Sequence, residues 1–120
     1  MNMRIELGTT QKRKEHKVFR DEWVCMCCSH PCLIFQQVRS WLEEILWDRK
    51  GGMDVYRCKG VLSIKNSDQL HTLQAVRELY EIVPTRQWNN GESQMNKIVF
   101  IGRNLSEDVL SETFRACAVS

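Results

Sequence analysis

No run of apolar residues in this 120-residue chain approaches the roughly 18 needed to span a bilayer, so no membrane partner is expected. A strong charge of one sign is also missing. Seventeen basic residues stand against fifteen acidic ones, and a net charge of +2 gives no general attraction for nucleic acid or anionic lipid. The N-terminus lacks the apolar core of a secretory signal, and the expected location is cytoplasmic, with nuclear and organellar placement left open. Without an export signal, the six cysteines read as reduced thiols or metal ligands rather than as a disulfide framework. There are no internal repeats and no low-complexity tract. A chain of this length forms one domain and buries roughly two-thirds of its unfolded surface, enough for an independent core.

The clearest pattern present is the period-two stretch Asp54 to Ile64, D-V-Y-R-C-K-G-V-L-S-I. It predicts a strand with Tyr56, Cys58, Gly60, Leu62 and Ile64 on a core-facing side and Val55, Arg57, Lys59, Val61 and Ser63 on the other. Gly60 weakens a strand interior and marks a bulge or a close approach of another group to the backbone.

Ahead of it, Val38, Trp41, Leu42, Ile45 and Leu46 recur at helical spacing and end before Gly51-Gly52, which predicts an amphipathic helix with Trp41 in the core. After it, Asn66-Ser67-Asp68 reads as a turn. Leu70 to Val83 has mixed signals: residue propensity favours helix, whereas a short polar turn after a strand favours an antiparallel hairpin, and the strand is the reading adopted. It would place Leu73, Ala75, Leu79 and Val83 on one face with His71 and Arg77. His71 itself reads as an ordinary packed or surface histidine. Residues 84–96 form a polar loop turning at Asn89-Asn90-Gly91, with Trp88 as its anchor. K-I-V-F-I-G, Lys97 to Gly102, is a short covered strand. The last helix is capped by Ser106, carries Glu107 and Asp108 in its first turn, pairs Leu105 with Leu110 as a staple, and buries Val109, Leu110, Thr113, Phe114 and Cys117.

Residues 1–22 are polar, with Lys12, Arg13, Lys14, Lys17 and Arg20 interrupted by Glu15, Asp21 and Glu22, and are expected to be a disordered basic tail. No nucleic-acid partner is expected, because aromatic stacking residues are not interleaved with the basic run. Residues 23–35 form a cysteine-rich extension. Cys25, Cys27, Cys28, His30 and Cys32 are soft or borderline ligands of the kind Zn(II) prefers, and they are the candidate metal site, with zinc the one candidate cofactor. The competing reading is a packed strand from Trp23 to Cys28. Its alternation would put Trp23, Cys25 and Cys27 on one side and Val24, Met26 and Cys28 on the other, so that adjacent Cys27 and Cys28 point apart.

Four blocks in order, V-R-S-W-L-E-E-I-L-W, D-V-Y-R-C-K-G-V-L-S-I, H-T-L-Q-A-V-R-E-L-Y-E and K-I-V-F-I-G-R-N-L, closely resemble the C-terminal domain of CobW-type GTPases, in particular the zinc-handling eukaryotic group. The resemblance covers about Val38 to Cys117 and assigns residues 36–120 to that domain. It implies an α+β fold, an antiparallel sheet of three to four strands with helices packed on one face. It also implies a non-catalytic regulatory or partner-recognition role in a zinc chaperone, with a GTPase domain or a metalloprotein client as protein partner. The chain contains no G-x-x-x-x-G-K-[ST] phosphate loop, no switch region and no guanine-specifying motif, so no GTP hydrolysis is expected of it. The family's C-x-C-C metal motif lies in its GTPase domain, after a glycine. Cys25, Cys27 and Cys28 repeat its spacing after Val24, in a different context. The alternative is a small protein that binds metal through the cysteine cluster. The family's usual first strand is hard to find before Val38, which points to a truncated or alternatively spliced product with an unrelated N-terminal extension.

Overall fold

The computed structural model describes residues 3–14, 17–28 and 32–118, with the side chains of residues 3 and 9–21 outside the description. Six strands form one sheet in the order β1-β2-β6-β3-β4-β5, and every neighbouring pair is antiparallel. The strands are β1 (Met3–Lys14), β2 (Lys17–Cys28), β3 (Asp54–Ser63), β4 (Gln69–Val76), β5 (Leu79–Gln87) and β6 (Asn96–Arg103). Helix α1 spans Phe35–Leu46 and α2 spans Glu107–Arg115.

An antiparallel sheet with helices is the expected class, but it has six strands rather than three to four. Two departures account for the difference. Where a polar tail was expected, Met3–Lys14 pairs with Lys17–Cys28, so the Trp23 to Cys28 strand begins earlier and gains a partner. Leu70 to Val83 is two strands and not one, because Arg77 takes a left-handed conformation (φ 55°) and the chain reverses at Arg77-Glu78. The reversal returns Leu79 to the side opposite Leu73 and Ala75, and Leu79 is 79% exposed. Strand β5 also runs to Gln87, through the first part of the expected loop.

Both helices cover the same side of the sheet. Val24, Met26 and Cys28 of β2, Ile98 and Phe100 of β6, Cys58 and Leu62 of β3 and Leu73 of β4 join the α1 and α2 stripes in one buried cluster. At its centre the Trp41 ring meets the Phe100 ring edge-on at 5.7 Å and the Phe114 ring at 5.1 Å, geometries that aromatic quadrupoles favour. Trp41 Nε1 donates to Thr113 Oγ1 at 2.7 Å, so the indole is buried without an unmet donor. Helix α1 buries Val38, Trp41, Leu42, Ile45 and Leu46, as its spacing requires. In α2, Ser106 accepts from the Val109 N–H at 3.2 Å, and Leu110 and Phe114 are buried.

In β3 the inward side is not the one expected throughout. A bulge between Val55 and Arg57 inserts Tyr56 as an extra residue against β6, so Val55 faces inward before the bulge and Cys58 and Leu62 after it. Tyr56 is left half-buried, with the Arg77 guanidinium 4.3 Å from its ring centre. Gly102, opposite the bulge, lies against the Asp54 carbonyl and Val55, where a side chain has no room. At Gly60, an added Cβ would lie 2.5 Å from the Lys97 carbonyl oxygen, the close approach its place in the strand foretold. Trp88 is half-buried but stands outside the core cluster.

Candidate functional site: the open sheet face and the cysteine strand

The side of the sheet away from the helices is uncovered by any described element. Residues directly opposed on neighbouring strands share a face, so the register sets out this surface row by row. One row crosses all six strands through Gly8, Trp23, Ile101, Arg57, Val76 and Leu79. The next runs through Glu6, Cys25, Val99, Lys59, Gln74 and Glu81. A third runs through Arg4, Cys27, Lys97, Val61, Thr72 and Val83.

The first row is largely apolar. The Trp23 indole lies over Gly8, where any side chain would collide with the ring, and Val76 is 48% exposed at the other end. Two hollows of about 360 Å³ flank Lys59. One is lined by Val61, Thr72, Gln74 and Lys97 among others, the second by Arg57, Val99 and Ile101, and both consist of strand residues alone. Among the described residues, Arg57, Lys59 and Lys97 make no ion pair, whereas Arg4 pairs with Glu6 at 3.7 Å. The open face thus carries an apolar strip bordered by cations that make no ion pair among the described residues.

The cysteines divide between the two faces as strand alternation requires. Cys25 and Cys27 are half-buried on the open face, and Cys28 is buried on the helix side. Asn96, itself buried, donates from Nδ2 to Cys28 Sγ at 3.7 Å and accepts the Ser63 N–H through Oδ1 at 2.7 Å. Cys32 Sγ accepts from Ser63 Oγ at 3.8 Å. His30 lies outside the described residues. Burial pushes the Cys28 thiol above its ordinary pKa, against the opposing effect of the Asn96 hydrogen bond. Burial raises Cys25 as well, while nearby Lys97 pulls it down and Glu6 and Cys27 push it further up. Among the described residues, no three Cys, His, Asp or Glu side chains come together where they could hold an ion. His71 is packed, with its ring 6.4 Å from that of Phe35 and Nδ1 3.1 Å from the Gln69 carbonyl oxygen.

The residues that define the open face were not singled out by sequence reasoning. Arg57, Lys59 and Val61 alternate with the core positions of β3, and that alternation is the signal the sequence carries for this face.

The described residues thus form an antiparallel sheet with two helices on one side and an uncovered opposite side. The chain belongs to the family of the cobalamin synthesis protein CobW C-terminal domain, whose model matches residues 24–118. The match begins within β2, ahead of Val38. Among curated proteins, the chain is 32% identical to zinc-regulated GTPase metalloprotein activator 1 of Schizosaccharomyces pombe, over 60% of this chain and 19% of that protein. Its fold resembles a Zn(II)-bound triple-mutant YjiA GTPase, with a TM-score of 0.73 at 23% identity, over 82% of this chain and 30% of the other. Zn(II)-bound YjiA GTPase from E. coli gives a TM-score of 0.72 at the same identity and coverage. The chain therefore spans about a fifth of the curated relative and under a third of the solved ones. Among the described residues, no helix is long and apolar enough to cross a membrane.

Proposed function

We propose that this chain is a non-catalytic partner-recognition domain of a CobW-like zinc chaperone system, acting on a GTPase domain. The observation that carries the reading is the family match over residues 24–118, in a chain equivalent to only 19% of a relative named as a zinc-regulated GTPase. In that relative the matched portion is accompanied by the larger remainder of a GTPase, and a sheet with one bare face is suited to contact it. The chain has no phosphate-cradling loop of its own, so any effect on GTP is exerted through the partner. Zinc at Cys25, Cys27, Cys28, His30 and Cys32 is not part of this reading: Cys25 and Cys27 share the open face, Cys28 lies on the helix side, and His30 lies outside the described residues.

The test is GTP turnover by the GTPase portion of the S. pombe relative, measured with the whole chain added in trans, beside labelled-GTP binding by the chain alone. The expected result is a saturable change in turnover with no GTP retained by the chain. Turnover that stays constant across the titration, or saturable GTP binding by the clean chain, contradicts the proposal.

A further inference from the structure

From the charge and register of the open sheet face we infer that it docks an acidic protein surface with an apolar centre. This rests on the partner-recognition reading above and adds which face is used and what chemistry it selects. Desolvating a cation at an interface is costly unless the partner brings an anion, so unpaired charges on a bare face dictate the sign of what covers it. Arg57, Lys59 and Lys97 sit on adjacent strands β3 and β6 at the middle of the sheet, without an ion pair among the described residues. Within the three rows, the described carboxylates stand away from that centre. Glu6 lies on β1 and is engaged by Arg4, and Glu81 lies on the edge strand β5. Beside the cations runs the apolar row from Trp23 through Ile101 to Val76 and Leu79, with Leu79 79% exposed. The two hollows beside Lys59 offer recesses for apolar side chains of the partner at the same place. A polyanion without an apolar surface would leave that row wet, which is why a protein is favoured over a nucleic acid.

The experiment mixes the whole chain with the GTPase portion of the S. pombe relative and treats the mixture with a zero-length carbodiimide, which joins lysine amines to carboxylates. Cross-links are mapped by mass spectrometry. They should form through Lys59 and Lys97 and not through Lys65, which is exposed in the turn after β3. The double variant Lys59→Glu/Lys97→Glu should bind at least tenfold more weakly while keeping the circular dichroism and melting temperature of the parent, because both side chains are exposed. Glu81→Lys, on the same face, should bind more tightly. A complex whose affinity is untouched by these changes, or whose cross-links avoid Lys59 and Lys97, overturns the inference and leaves partner recognition standing. Absence of any complex defeats both. Retention of a uridine-rich single-stranded RNA that the double variant loses would replace the protein partner and overturn the inference as well.

Discussion

At Gly60 the missing side chain is what lets β3 and β6 lie together, since a methyl group would meet the Lys97 carbonyl oxygen at 2.5 Å and Ile98 at 3.0 Å. The obstacle is backbone and cannot rotate aside. Gly60→Ala should therefore cost about 1 to 3 kcal/mol in chemical denaturation, the usual penalty of overpacking, and a parent-like midpoint would contradict the close approach. Glu92 behaves as an acid-sensitive tie for the loop after β5. Its carboxylate accepts from both terminal nitrogens of Arg86, at 2.9 and 2.8 Å, and from the Asn89 N–H at 2.8 Å. The Arg86 guanidinium, with help from the Asn89 amide, pulls its pKa from the ordinary 4.5 down to about 2. A depressed carboxylate pKa contributes order that is fully present above 4.5 and is lost as pH falls through about 2. Hydrogen exchange at the Asn89 amide, corrected for its intrinsic pH dependence, should lose protection across that window in the parent and show no such transition in Glu92→Gln. An Asn89 amide whose protection is indifferent to pH in the parent would refute the tie. Of these two residues the sequence singled out only Gly60, because glycine in a strand is a local signal. The Arg86 to Glu92 pairing depends on where the β5 register ends.

Elements are legible in the sequence where one period dominates and hidden where the chain changes direction. Helix α1 follows from spacing alone, and the alternation of Trp23 to Cys28 holds residue by residue. In α2 Leu110 and Phe114 are buried as expected, whereas Val109 and Thr113 are half-buried, Ser111 is buried and Cys117 lies beyond the helix. Three misreadings have physical causes. Tyr56 was placed inward because a bulge shifts the parity of β3 by one residue, and no local signature marks it. Leu79 and Val83 were placed with Leu73 because Arg77 makes the left-handed turn without the glycine or asparagine that usually signals one. The first hairpin was read as a tail because β1 is an edge strand whose polar composition carries no core pattern. The pairing of helices through Trp41 and Phe114 makes the element-scale prediction. Trp41→Ala and Phe114→Ala should each lose about 3 to 5 kcal/mol, and the double variant should lose less than the sum, because the two rings touch at 5.1 Å. Additive losses in urea denaturation would show that the two rings do not support one another.

At the scale of the molecule, the described residues put nearly all burial on one side of the sheet and leave the other side uncovered. The family is legible in four ordered sequence blocks that resemble it, and the antiparallel sheet with helices follows from that resemblance, whereas local spacing carries only the separate elements. The open face is not legible there, since it exists only once β2, β6, β3, β4 and β5 are set side by side. Three rows on six strands cover roughly 24 by 13 Å, a footprint of about 300 Å² against the ~800 Å² per partner of a standard interface. That size favours a transient complex, with affinity in the micromolar range at about −8 kcal/mol, over a permanent one. Sedimentation velocity of the whole chain mixed with the GTPase portion of the S. pombe relative tests the central claim most directly. Recognition through this domain predicts a faster-sedimenting one-to-one species that grows in over roughly micromolar concentrations and recedes with added salt. Two boundaries that stay independent up to about a hundred times that concentration would contradict it.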